Sequence, residues 1–318
     1  MEKIYLGGRN KNSVARLYVE PLFKKYFEPL FPDSLFLILH TSPIELPKVN
    51  FNSYRYIFLV QVSDPADYVG KNWDYLYEHL SPYLNKTFAV CTYYSKVPFR
   101  QISVDCPLMF AIANNNNSPD HPRKHIKKYV CMNNRDQPHK TEVVNSLIRH
   151  NVFKDGFVSL TGTYSLPSEA SLNKVSPDIF ANGLLDGNTF NPFPIELFQT
   201  PFHLVTETSL NVHQMYITEK TVKAILAKQL ILHVGSPRTI EYLNKQYDLD
   251  IPIFLNNWLD LDEICNFLKR PLDELNQLYS EHSSTLEKSK TKLQNQCNHI
   301  FDRLILNSFR KHDIILAD

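Results

Sequence analysis

The sequence predicts an α/β protein made of two parallel-sheet halves. Short continuous apolar runs, Leu35–Leu39, Tyr56–Val62 and Leu230–Val234 among them, lack the polar alternation of a half-exposed sheet. Strands buried on both faces read in this way. Segments of helical spacing lie between the runs, as in Lys140–His150, where Val143, Val144, Leu147 and Ile148 share one face. Strands alternating with helices place a parallel sheet under helices on both sides. Asn114–His125 (NNNNSPDHPRKH) breaks the pattern with two prolines and no other apolar residue, the composition of a surface linker. The expected organisation is therefore a first domain over 1–121, a second over 122–270 and a helical brace over 271–318.

In the first domain, Lys3–Leu6 is a strand stopped by Gly7-Gly8. Val14–Phe31 has helical spacing, with Ser13 as N-cap and Pro21 at a kink. Trp73–Leu84 reads as helix, Thr87–Tyr93 as strand and Leu108–Ala113 as a further apolar run. In the second domain, Tyr129–Met132 is a strand, Asn133–His139 a polar loop and Phe157–Leu160 a strand. The stretch from Thr161 to Pro194 has little periodicity and is expected as loops. His203–Thr206 is a strand, and Glu219–Gln229 a helix with Val222, Ile225 and Leu226 inward. Ile251–Leu255 is expected as the last strand, followed by helices over Leu261–Leu268, Leu272–Lys288 and Thr291–Arg310.

Composition excludes several classes. The 318 residues carry 34 basic and 33 acidic side chains, a formal +1, without the basic excess of a dedicated nucleic-acid binder. Five cysteines with no CxxC pair argue against a disulfide framework or zinc knuckle and fit reduced thiols. No run reaches the roughly 20 apolar residues that span a bilayer. The start, MEKIYLGGRNKNS, lacks a signal-peptide core, so a soluble, cytoplasmic protein is expected. None of the twelve histidines forms a strong metal-ligand spacing. His121, His125 and His139 read as solvated, and His233, in an apolar strand, as a hydrogen-bonded core residue.

The stretch that carries chemistry is FHLVTETSLNVHQMYITEKTVKAILAKQLILHVGSP, residues 202–237. It reads as strand, loop, helix, strand and tight turn. Ligands of open α/β sheets bind beyond the carboxyl ends of the strands. Glu207 and Ser209 follow one such end, and Gly235 and Ser236 the other. The intervening helix opens at Thr218-Glu219-Lys220, where unpaired N–H groups and a lysine suit a pyrophosphate and Glu219 suits a ribose diol. A threonine followed by an acid is equally an ordinary helix start.

The order VTETS, YITEK, AILAKQ, LILHVGSP resembles the donor-binding core of the α-1,3-fucosyltransferases, glycosyltransferase family 10. That family has a strand ending in FENS, a tyrosine, a TEK helix start, an amphipathic helix and a strand closed by a G-S-P turn. The resemblance implies that Tyr216, Glu219 and Lys220 contact a sugar nucleotide, with Glu207 and Ser209 in the same pocket. Thr208 stands where the family has asparagine. Upstream, KYVCMNNRDQPHKTEVVNSL has the family's strand, loop and helix, with Lys140 where an arginine contacts the donor phosphates and Arg135 available in the loop. Lysine keeps the charge and loses the bidentate fork, which points to a donor other than GDP-fucose. The resemblance covers residues from about 127 to 240 and resembles short phage and viral chains in its second half.

It implies a GT-B architecture of two Rossmann-like domains facing across a cleft, with inversion at the anomeric carbon. It implies no required metal or cofactor. The donor is a nucleotide-diphosphate sugar, GDP-sugar by resemblance, and the acceptor a hydroxyl, a glycan first. The first domain would hold the acceptor and a carboxylate base: Asp64 first, then Asp67 and Glu78, although Asp64 before Pro65 also reads as a turn cap. Gly7-Gly8 is either a close approach for an acceptor or a plain turn. The alternatives are transfer to a modified base in phage DNA and a nucleotide-binding relative without turnover.

Overall fold

A computed structural model describes residues 4–7, 28–39, 46–61, 70–91, 97–103, 121–133, 137–160, 193, 195–207, 210, 217–236, 238–255 and 260–300. The chain divides into two compact units, Met1–Cys106 with His299–Asp318, and Pro107–Asn298.

The first unit holds a five-stranded parallel sheet in chain order: β1 (Ile4–Gly7), β2 (Ser34–Leu39), β3 (Tyr56–Gln61), β4 (Thr87–Cys91) and β5 (Arg100–Ser103). Helix α1 (Gly70–Leu80) runs before β4. Strand alternation gives the sheet two different faces. Leu35, Leu37, Ile57, Leu59 and Ala89 pack with Trp73, Leu76 and Leu80 of α1. On the opposite side, Phe36, Phe58 and Phe88 stand in register across three strands, the first pair stacked at 5.1 Å. The helix expected over Trp73–Leu84 begins three residues earlier and tightens at Ser81–Lys86 into 3₁₀ turns, where Pro82 cannot continue an α-helix. Strand β5, short and partly polar, is an element that apolar periodicity does not reveal. Val14–Glu28 and Leu108–Ala113 lie outside the described residues, apart from Glu28 itself.

The second unit is a four-stranded parallel sheet of β6 (Tyr129–Asn133), β7 (Gly156–Leu160), β8 (Phe202–Thr206) and β9 (Leu230–Val234). Its spatial order is β7-β6-β8-β9. The chain leaves β6 for β7 on one side and then returns to place β8 on the other, so the order reverses between β6 and β8. Every residue of β6 and β8 is buried. On one face Cys131, Phe202, Leu204, Leu230 and Leu232 pack with α2 (Pro138–Arg149), α5 (Leu261–Leu268) and α6 (Leu272–Ile300). Helix α3 (Glu219–Leu226) packs on β8 and β9, and α4 (Thr239–Tyr247) follows β9.

Three expectations are corrected here. Ile251–Leu255 is not a strand. Its backbone is claimed by side chains, since Asn244 bonds both the N–H and the carbonyl of Ile251 at 2.9 Å and Ser289 takes the N–H of Asp250 at 3.2 Å. Pro252 then has no N–H to offer a ladder. The two helices expected beyond residue 271 are, through Ile300, one helix, and Leu275 and Leu286 belong to the core of the second unit. His121–His125, expected within a surface linker, is stitched to that unit: Lys124 N–H donates to Phe198 O at 3.3 Å and Ile126 N–H to Gln199 O at 2.9 Å. Helix α4 went unread, although Ile240, Leu243 and Tyr247 have helical spacing and are buried.

Candidate functional site

The carboxyl ends of β6 and β8 flank the position where the strand order reverses, the place where open α/β sheets form a crevice. The sequence sends each strand into a loop and then a helix whose first turn carries a lysine. Lys140 is the third residue of α2, after Pro138, whose fixed φ suits the first helical position. Lys220 is the second residue of α3, after the N-cap Thr218, whose hydroxyl accepts from Lys220 N–H at 3.4 Å. Both lysines are buried, at 3% and 5% exposure. Both act through their charge on the Cys131 thiol and the His139 imidazole, so the ammonium groups share one neighbourhood. A cation at a helix N-terminus opposes the macrodipole. Two such cations in first turns form a place that an anion stabilises.

Glu207, the residue after β8, is fully buried. Its carboxylate accepts from Thr218 N–H at 3.0 Å, from the Thr218 hydroxyl at 2.6 Å and from the Thr221 hydroxyl at 2.5 Å. Its N–H donates to Val234 O at 2.9 Å, and its carbonyl accepts from His139 Nε2 at 2.8 Å. Burial alone would raise this carboxyl. The His233 imidazole, the Lys220 charge and the Thr218 donors outweigh it and hold the pKa at about 2. Thr218, Thr221 and the loop backbone therefore use the carboxylate that the sequence reading aimed at a ligand.

His233 Nε2 lies 3.9 Å from Glu207 Oε1, beyond hydrogen-bond reach, and has no hydrogen-bond partner among the described residues. Its side chain is 6% exposed, as expected of a core position. His233 also lines a cavity of about 260 Å³ beside β9, with Ser236, Thr239, Glu241, Ile253 and Phe254. Gly235 makes room for this arrangement. A Cβ there would collide with the His233 ring and press on Glu207 Cγ at 3.0 Å.

His139, expected as solvated, is half-buried and bonded to Glu207; burial lowers its pKa despite that bond. His121 is exposed, as expected, with one edge contact to Phe198, whereas His125 is half-buried and bonds Asn276 Oδ1 at 2.8 Å against the Tyr279 ring. His203, inside β8, is fully buried with neither ring nitrogen hydrogen-bonded among the described residues. Burial and the charges of Lys220 and Lys223 take its pKa down to about 3. Burial pushes the Cys131 thiol up to about 11, against the pull of the two lysines.

No family model matches the chain, and no curated protein does. Solved structures similar to it include the DNA modifying enzyme β-glucosyltransferase, determined in the presence and absence of uridine diphosphoglucose. That match has 12% identity and a TM-score of 0.48, over 95% of this chain and 98% of that one. A variant of the T4 phage enzyme BGT in complex with UDP-glucose matches at 13% identity and TM-score 0.44, over 95% and 98%. The wall teichoic acid polymerase TagF matches at 13% identity and TM-score 0.32, over 97% and 89%.

The structure thus brings together Lys140, Glu207, Lys220, Gly235 and Ser236 of the sequence-predicted set, all in the second unit. Glu219 opens α3, its side chain being outside the described residues. Asp64, Asp67, Arg135, Ser209 and Tyr216 also lie outside them. Glu78 lies on α1, exposed. His139 and His233 are site residues that sequence reasoning missed. The available signal was position: one directly precedes Lys140, and the other lies two residues before Gly235.

Proposed function

We propose that the chain is a glycosyltransferase that takes its sugar from a nucleotide-diphosphate donor bound in the second unit. The observation that carries the reading is the pair of buried lysines, Lys140 and Lys220, in the first turns of the helices that flank the strand-order reversal. Two linked phosphates match two ammonium groups backed by helix N-termini. As the glycosidic bond to the nucleotide breaks, negative charge grows on the diphosphate, and fixed cations in a buried site stabilise that charge. The cavity beside His233 takes the nucleoside: Ile253 and Phe254 offer apolar walls, Ser236 and Glu241 polar edges.

The resemblance to the α-1,3-fucosyltransferases supports the same placement and adds Arg135, Ser209, Tyr216 and Glu219 as donor contacts. It implies transfer with inversion, and Asp64, just past a strand of the first unit, is our first candidate for the base that takes the acceptor hydroxyl's proton. A GDP-sugar is the donor by that resemblance, with Lys140 in place of the family's arginine as the departure that a nucleotide screen resolves.

The test is a thermal-shift screen of the full chain against GDP-, UDP-, CMP- and ADP-sugars, followed by turnover of the stabilising donor. Acceptor arms are a glycan panel and duplex DNA bearing hydroxylated bases. One nucleotide class raises the melting temperature of the wild type, and Lys220→Ala removes most of the rise. Equal shifts in wild type and variant reject the assigned site.

A further inference from the structure

Glu207 sits where three parts of the second unit meet, and its polar atoms reach all of them. Its N–H extends the pairing of β8 with β9 through Val234 O at 2.9 Å. Its carbonyl faces His139 Nε2 at 2.8 Å; a carbonyl only accepts, so Nε2 carries the proton, and the bond fixes the residue next to Lys140. Its carboxylate gathers Thr218 N–H, the Thr218 hydroxyl and the Thr221 hydroxyl, which bracket Lys220 in the sequence. One residue thus ties the first turn of α2 and the first turn of α3 to the same strand end.

A carboxylate has about four lone-pair directions. Three are taken by the threonine donors, two on Oε1 and one on Oε2, and His233 Nε2 stands 3.9 Å from Oε1. Full burial keeps the carboxylate on these donors of the protein's own.

We propose that Glu207 is a positioning residue: it sets the separation of Lys140 and Lys220, and so determines the affinity for two linked phosphates without touching the ligand. The inference rests on the donor-site reading above. Glutamine at 207 has nearly the same volume but exchanges one acceptor oxygen for an N–H₂ facing threonine donors. The α3 turn then loses part of its clamp. His139→Ala cuts the other tie, that to α2, and leaves the carboxylate clamp in place.

The experiment compares UDP, GDP, CDP and ADP, each with its own nucleoside, by calorimetry, on the full chain as wild type, Glu207→Gln and His139→Ala. The diphosphate-to-nucleoside affinity ratio is the readout, since general loosening lowers both affinities together. The ratio falls about tenfold in Glu207→Gln and about threefold in His139→Ala, with nucleoside binding retained. An unchanged ratio in a folded Glu207→Gln overturns the positioning role. If that variant does not fold, His139→Ala decides, and an unchanged ratio there overturns it. Wild type that binds none of UDP, GDP, CDP and ADP removes the donor reading itself, and this inference with it.

Discussion

Lys140 and Lys220 differ from ordinary surface lysines in that burial makes their charges count. Water screens an exposed ammonium, whereas one held at 3% or 5% exposure acts on its neighbours at much lower effective dielectric. Each charge-assisted contact to a phosphate is then worth about 1.5–3 kcal/mol. Lys140→Arg should retain most of the nucleotide-induced thermal shift, and Lys140→Met should lose it, at donor concentrations near the wild-type midpoint. Gly235 tests the packing beside them. Gly235→Ala forces its new methyl against the His233 ring and Glu207, and overpacking of this kind costs about 1–3 kcal/mol. Urea unfolding should show a lower midpoint at unchanged slope; an unaltered midpoint would mean that the ring moves aside freely.

At the scale of elements, α3 is short, eight residues, and depends on its first turn. Thr218 caps it with a hydroxyl that also donates to Glu207, so one side chain serves two roles. Thr218→Ala removes both and should destabilise the protein by about 1–2 kcal/mol. The same change should weaken nucleotide binding, because Lys220 rides on that turn. Thr221→Ala, which removes one bond to Glu207 and no cap, should cost less in thermal unfolding. The β8–loop–α3–β9 order was legible from the apolar runs and the TEK start, and both strands appear within a residue of their expected ends. The supposed strand at Ile251–Leu255 was not a strand, because side chains of Asn244 and Ser289, distant in contact terms from any pattern of hydropathy, claim its backbone.

At the scale of the whole molecule, two buried groups shape the response to acid. The His203 pKa is down to about 3 against an ordinary 6.5, so between these values the unfolded chain binds a proton that the folded chain refuses. Its effect on stability is absent above pH 6.5 and grows as pH falls towards 3. Glu207 follows lower down: its stabilising contribution is complete above pH 4.5 and is lost as pH falls towards 2. The melting temperature should therefore drop in two stages on acidification. His203→Leu should flatten the stage between pH 6.5 and 5, and Glu207→Gln the one below 4.5. A His203→Leu profile parallel to wild type would show that the imidazole is protonated in the fold.

No helix among the described residues is long and apolar enough to cross a membrane. The near-zero net charge, read from composition, bears on partners and leaves the fold untouched.

The sequence alone determined the α/β class, because continuous apolar runs and helical spacing are local and each is set by which faces a segment must bury. It also determined that lysines open two helices after two strands, since a helix start is written in a few adjacent residues. Only the tertiary structure decided that β6 and β8 lie side by side, which brings Lys140 and Lys220 into one neighbourhood across 80 positions of chain. It likewise decided that Glu207 spends its carboxylate on Thr218 and Thr221. Strand order and hydrogen-bond partners depend on contacts between distant segments, and no local pattern of residues specifies those.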